Sequence, residues 1–181
     1  DRLVLCVSEE RFLVLQKQHH SGTSFEADLE DLLVRYAKLS KGLQAALPPA
    51  LFDLLQSEFG VRHECFASPL NNTCSKFCSV FPEDAIFGSF GSFFEFFPLE
   101  GSFECNPPFV ASIMDRAHGH IHDLLTASDQ SLQFVVIVPS WGGALFSGSK
   151  FLVRQIQLKA REHVYLHSSM TATKDPRLVC G

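Results

Sequence analysis

Apolar residues recur at helical spacing through roughly the first third of the chain and gather into short runs afterwards. Glu9 to His20 and Phe25 to Leu39 predict two helices, the second with Leu29, Leu32, Leu33, Tyr36 and Leu39 near a 3.6-residue period. In "ALPPALFDLLQSEFG", Pro48 and Pro49 open a third helix, because proline lacks an N–H where the first helical turn has no use for one. Leu51, Leu54, Leu55 and Phe59 form its apolar stripe, and Gly60 closes it. Four strand-sized runs follow: Glu64 to Ala67, Ala85 to Phe97, Ser102 to Cys105, and Phe134 to Val138. Asn72 to Val80 and Phe109 to Leu125 are predicted helices between them. Strands interleaved with helices predict an α/β domain with a largely parallel sheet. The run "FGSFGSFFEFF" has too many large apolar residues for a disordered tract and is predicted as buried strand.

Composition bounds what such a domain does. At 181 residues and 46% hydrophobic content the chain is expected to form one domain with a real core. Its longest aliphatic run, Val135 to Val138 after Phe134, is far below the roughly 20 residues of a spanning helix. The chain begins at Asp1 without a basic-then-apolar leader and is read as a piece of a longer protein. A net charge of −5 argues against holding nucleic acid by bulk positive charge. Lys150, Arg154, Lys159 and Arg161 form the one basic concentration, expected to be a solvated face. Cysteines at 6, 65, 74, 78, 105 and 180 lack the paired spacing of a disulfide scaffold, which points to an intracellular, reducing compartment. Cys74 and Cys78 would share a helix face, yet no second pair completes a zinc site. In "HGHIH" only His118 and His122 share a helix face, so a packed or solvated helix is expected rather than a metal centre. Glu83 and Asp84 sit in "FPED", an ordinary turn sequence.

Ligands of parallel α/β sheets bind beyond the carboxyl ends of the strands. Three predicted strands run into polar or proline-bearing loops there: "ASPLN", "NPPF" and "VPSW". In the second, Asn106 offers a side-chain carbonyl and Pro107 a main-chain carbonyl, at a corner where proline cannot continue a ladder. Two acceptors suit an amino group on an aromatic ring, whose nitrogen lone pair is delocalised. Accepting both N–H groups favours the nitrogen as it becomes tetrahedral and positive during methyl transfer. Phe109 supplies a ring for a base to stack on, worth roughly 1–3 kcal/mol. The corner therefore fits methylation of a nucleobase amine. No Gly-x-Gly-x-x-Gly stands in the chain.

"LQAALPPALFDLLQSEFGVRHECFASPLN", "FGSFGSFFEFFPLEGSFECNPPF" and "FVVIVPSW" resemble the catalytic region of the phosphorylated CTD-interacting factor family from about Leu32 to Trp141, with weaker echoes through His163 and Tyr165. The resemblance implies a Rossmann-like class I methyltransferase sheet, using S-adenosylmethionine to methylate adenosine N6 next to the cap of mRNA. It places Asn106, Pro107, Pro108 and Phe109 at the target base. It sets Glu64, Ala67, Ser68, Pro69, Asn71 and Asn106 along the cofactor, with Leu47 and Pro48 at its edge. It further implies capped mRNA as partner, a nuclear location, and contact with the RNA polymerase II C-terminal domain through regions outside this chain. Residues 1–42 are expected to be a helical segment and 43–181 a partial methyltransferase domain. The polar stretch after Tyr165 shows no clear closing strand pair, so the sheet is expected to stop short. Ser140 stands where the family carries an acidic residue, and the single tryptophan, Trp141, is one fewer than a WW module needs. Corners of this kind also serve methylation of adenine in DNA or of glutamine in protein, and a silent interaction domain is a third reading.

Overall fold

The computed structural model describes residues 7–39, 45–141, 143–159, 164–167 and 178–180. Helix α1 spans Glu9–Gln18 and is capped by Ser8, whose hydroxyl accepts the Arg11 N–H at 3.2 Å. Glu9 and Glu10 in its first turn and Lys17 in its last suit the helix dipole. Helix α2, Phe25–Leu39, buries Leu29, Leu32, Leu33 and Tyr36, four of the five positions its period selects. Both helices share a cluster with Leu70, Phe81, Ile86 and Phe87. After the short strand β1, Ala45–Ala46, helix α3 runs Pro49–Phe59 and ends at Gly60 with φ of 68°, a left-handed cap open to glycine at little cost.

The main sheet comprises β2 His63–Glu64, β3 Lys76–Phe77, β4 Gly101–Cys105 and β5 Leu132–Val136. Its order is β3-β2-β4-β5 with every pairing parallel. Helix α4, Ala111–Ala127, connects β4 to β5, and α5, Gly143–Ser147, follows. On one face Phe103 and Cys105 join Cys65, Cys78 and Phe93 against Ala117, Ile121 and Leu124 of α4. On the other, Val135 and Ile137 meet Leu47, Phe52, Leu55 and Val61 around α3. Helices thus cover both faces, as parallel sheets require. Each such fully buried Leu, Ile or Phe contributes roughly 1.5–3 kcal/mol, so these two clusters hold the helices on the sheet.

Two predicted elements are corrected. Asn72–Val80 is not a helix: it turns and enters β3, which pairs parallel with β2. Its Asn, Thr, Cys and Ser residues are weak helix formers, and Glu64 takes the Thr73 and Cys74 N–H groups instead. Cys74 and Cys78 consequently share no helix face. Ala85–Phe97 is not a strand: two 3₁₀ turns, Pro82–Phe87 and Phe93–Glu95, flank Gly88 and Gly91 at φ of 89° and 80°. Positive φ at both glycines breaks the extended run and sends Phe87 and Phe93 into different clusters. The C-terminal stretch does contain a strand pair, β6 Val164–His167 with β7 Leu178–Cys180, joined antiparallel to β1 in a second sheet. Cys6, Arg161 and His163 lie outside the described residues. Among the described residues no helix is long and apolar enough to cross a membrane.

Candidate active site

The strand order fixes where a ligand crevice opens. From β2 the chain moves outward to β3, then returns past β2 to β4 and β5, so the direction of winding reverses between β2 and β4. Loops leaving the carboxyl ends of strands at such a point diverge and leave a cleft. The Cys65 N–H donates to the Glu104 carbonyl at 2.8 Å, and the Ile137 N–H to the Cys105 carbonyl at 2.9 Å. The ladder therefore reaches the roots of two loops, one starting at Phe66 and the other at Asn106.

At the second loop, Pro107 has no N–H to extend β4. Pro107 is buried, Pro108 exposed, and Asn106 and Phe109 half-buried, while Asn106 Oδ1 is shielded from solvent. The Pro108 carbonyl accepts the Val110 N–H at 2.6 Å, and the Val110 carbonyl accepts from Ile113 and Met114, which starts α4. A rigid corner thus passes directly into a helix.

The first loop is fixed by its own polar groups. The Ser68 N–H and hydroxyl both donate to Asn71 Oδ1 at 2.8 Å, and the Ser68 carbonyl accepts from Asn71 and Asn72 at 3.1 and 2.9 Å. The Ala67 N–H donates to the Cys78 carbonyl at 2.9 Å. Ser68 and Pro69 are buried, and Ala67 and Asn71 half-buried. Leu47 is buried in the cluster that holds Ile137, and Pro48 caps α3.

Glu64 is not a surface residue. It is buried on β2, and its Oε1 accepts the Thr73 and Cys74 N–H groups at 2.7 and 2.6 Å. Burial pushes its carboxyl up to about 7, opposed by those two N–H groups and by Arg11. Its register partner on β4 is Glu104, which shares its face of the sheet. Burial, then the neighbouring Glu64, holds the Glu104 carboxyl well above the usual range. An acidic pair therefore lies inside the sheet near the crevice, both carboxyls raised chiefly by burial. Sequence reasoning missed Glu104, although a carboxylate between Phe103 and Cys105 in an apolar strand was the available signal. It also missed Arg11, which reaches the Pro69–Asn72 segment from α1.

The brought-together set is therefore Ala67, Ser68, Pro69 and Asn71 on one loop, Asn106 to Phe109 on the other, with Glu64 behind the first. Ser140 and Trp141, in the third loop, are exposed. Asp84 is fully buried and bound by Tyr36 and by Arg35 at 3.0 Å, a structural use of that carboxylate. The histidines of "HGHIH" point to separate neighbours: His118 to Phe146, His122 to Phe151, and His120 Nε2 to the Phe96 carbonyl at 3.0 Å. Among the described residues, Cys65, Cys74, Cys78 and Cys105 carry free thiols, and burial pushes Cys74 and Cys78 up to about 12.

Sheet order and loop placement define an open parallel α/β protein with its candidate ligand crevice between the two central strands. Residues 11–168 match the family profile described as "Phosphorylated CTD interacting factor 1 WW domain", and the chain belongs to that family. It is 42% identical over 140 residues to two relatives, from Mus musculus and Homo sapiens, each named "mRNA (2'-O-methyladenosine-N(6)-)-methyltransferase". The match covers 74% of this chain and 20% of each relative, so the chain spans about a fifth of the length of these curated relatives.

Proposed function

We propose that this chain is part of an S-adenosylmethionine-dependent RNA methyltransferase that acts on adenosine N6, with the adenosine next to the mRNA cap as its substrate. The observation that carries this reading is the meeting of "ASPLN" and "NPPF" at the carboxyl ends of neighbouring parallel strands, β2 and β4. The name borne by both relatives supports the reaction class. In this reading the four parallel strands are the central part of a Rossmann-like class I methyltransferase sheet. Residues 43–181 belong to the methyltransferase domain, and residues 1–42 form a helical segment docked on it. Capped mRNA is the partner, in the nucleus, and contacts with the RNA polymerase II C-terminal domain lie in regions outside this chain.

The residues present fit the cofactor. Small and amide side chains from Ala67 to Asn71 let a ligand approach backbone that is already held by hydrogen bonds, and the carboxylate of Glu64 holds the end of that loop. Leu47 and Pro48 would border the cofactor, and Asn106 would lie beside its sulfonium methyl. S-adenosylmethionine supplies an electrophilic methyl on sulfur. Asn106 Oδ1 and the Pro107 carbonyl accept the two N–H groups of the adenine amine and turn its lone pair toward that methyl. With the cofactor bound there, the amine nitrogen would take its methyl and the S–C electron pair would stay on sulfur. The surplus amine proton, acidified by the new positive charge, passes to water. Phe109 stacks on the base, which must be unstacked or at a chain end to enter. The shielding of Asn106 Oδ1 from solvent strengthens its pull on the amine.

The test is methyl transfer from labelled cofactor to three substrates: capped RNA beginning with 2'-O-methyladenosine, single-stranded adenine-containing DNA, and a glutamine-containing peptide. Label in the capped RNA that disappears with Asn106→Ala is expected. Label only in DNA or peptide moves the proposal to those substrates, and cofactor binding without transfer to any of them rejects it.

A further inference from the structure

The "ASPLN" loop is gripped from outside the sheet, by α1. Arg11 Nη2 donates to the Asn72 carbonyl at 2.8 Å, and Nη1 donates to Asn72 Oδ1 at 3.0 Å and to the Pro69 carbonyl at 3.4 Å. Asn72 is buried, and its Nδ2 donates in turn to the Cys74 carbonyl at 2.8 Å. The planar guanidinium thus takes both acceptors of one residue in a fork that a lysine ammonium cannot reproduce. The same loop also sends Leu70 into the apolar cluster formed by Leu15 of α1 and Leu29, Leu32, Leu33 and Tyr36 of α2. Arg11 itself is anchored, because its N–H is the one that Ser8 caps and Leu15 one turn later is fully buried. From the sheet side, Glu64 holds the far end of the loop at Thr73 and Cys74.

We infer that Arg11 is a positioning residue of the cofactor site: α1 sets the shape of the Ser68–Asn72 loop through the Arg11 fork. The inference rests on the reading of this loop as the S-adenosylmethionine side of the crevice. It makes α1 part of the binding machinery, through the hydrogen bonds of Arg11 to the loop. Loop shape enters ligand affinity because a loop that samples other conformations binds only with the fraction that is competent. Arg11 therefore acts on cofactor affinity, and the methyl-transfer step proper depends on Asn106 and Pro107 from the other loop.

Calorimetric titration of the chain with S-adenosylhomocysteine tests this, on wild type, Arg11→Met, Arg11→Lys and Asn72→Leu, each at a temperature where circular dichroism shows it folded. Arg35→Met serves as control, since it breaks the ion pair with buried Asp84 and touches neither loop. Arg11→Met and Asn72→Leu should each weaken binding at least tenfold, Arg11→Lys by less, and the double substitution by no more than the worse single one. Arg35→Met should lower the melting temperature and leave affinity within twofold. Wild-type affinity in folded Arg11→Met overturns the inference. So does an equal affinity loss in Arg35→Met, which would mark general destabilisation. Absence of binding by the wild-type chain is a different outcome, which removes the cofactor reading beneath it.

Discussion

Replacing Glu104 with glutamine keeps the shape of the side chain and removes its proton equilibrium. In the wild-type protein Glu104 is 1% exposed, and burial, then Glu64, keeps it protonated well above the ordinary value of 4.5. The unfolded chain hydrates the same carboxyl and releases its proton near that ordinary value. Above it the folded state holds one more proton than the unfolded state. The contribution of Glu104 is therefore fully present below the unfolded pKa and is lost as pH rises toward the folded one. One proton is worth about 1.4 kcal/mol for each pH unit. His63 acts with the opposite sign, because burial, then Lys76, pushes it down to about 4 from 6.5 and stability grows as pH rises between those values. Glu64 and Asp84, both raised chiefly by burial, titrate as well. All three remain in the variant, so the difference between the proteins reports Glu104 together with its coupling to Glu64. Urea unfolding at pH 5, 6 and 7 should show Glu104→Gln gaining on wild type as pH rises, by at most about 1.4 kcal/mol per pH unit. A difference that does not change with pH refutes the reasoning, whatever its size.

Three other substitutions probe separate links. Phe109→Ala should raise KM for the RNA by about 5- to 150-fold, the equivalent of a stacking loss of roughly 1–3 kcal/mol, with S-adenosylhomocysteine affinity unchanged; a matching loss of cofactor affinity would place Phe109 elsewhere. Tyr36→Phe removes a hydroxyl that donates to the fully buried Asp84, and should cost about 1.5–3 kcal/mol in urea unfolding. An unchanged midpoint would show that the remaining partners, Arg35 and Ser79, satisfy the carboxylate. Gly60→Ala adds a Cβ that meets nothing within 4 Å, at a φ of 68°. Its cost is backbone strain alone, about 1 kcal/mol in urea unfolding, and Gly60→Asn should cost less in the same assay.

Helices α2 and α3 were legible in the sequence, because each carries its own period and α3 its own punctuation in Pro49 and Gly60. The β4 corner was legible too, since proline states locally that a ladder must end. What failed needed tertiary knowledge. The parallel crossover from β2 to β3 was predicted as a helix, but a tight loop makes it, with Glu64 accepting the N–H groups that a helix would have used. The Phe-rich run looked like strand because period counts apolar residues and not the positive φ of Gly88 and Gly91. In the candidate site, the two loops were readable as motifs. Arg11 was not, as its partners lie 58 and 61 residues away, and its role exists only once α1 has docked. Glu104 was visible as a misplaced charge, yet its meaning came from register with Glu64.

The central claim is that the crevice between the ends of β2 and β4 holds the cofactor and presents the amine acceptors to it. A crystal structure of the protein with bound S-adenosylhomocysteine tests this most directly. The account predicts density for the ligand in contact with the Ala67–Asn71 loop, its sulfur facing Asn106. Density at another place on the sheet, or bound ligand whose sulfur lies away from Asn106, would contradict it.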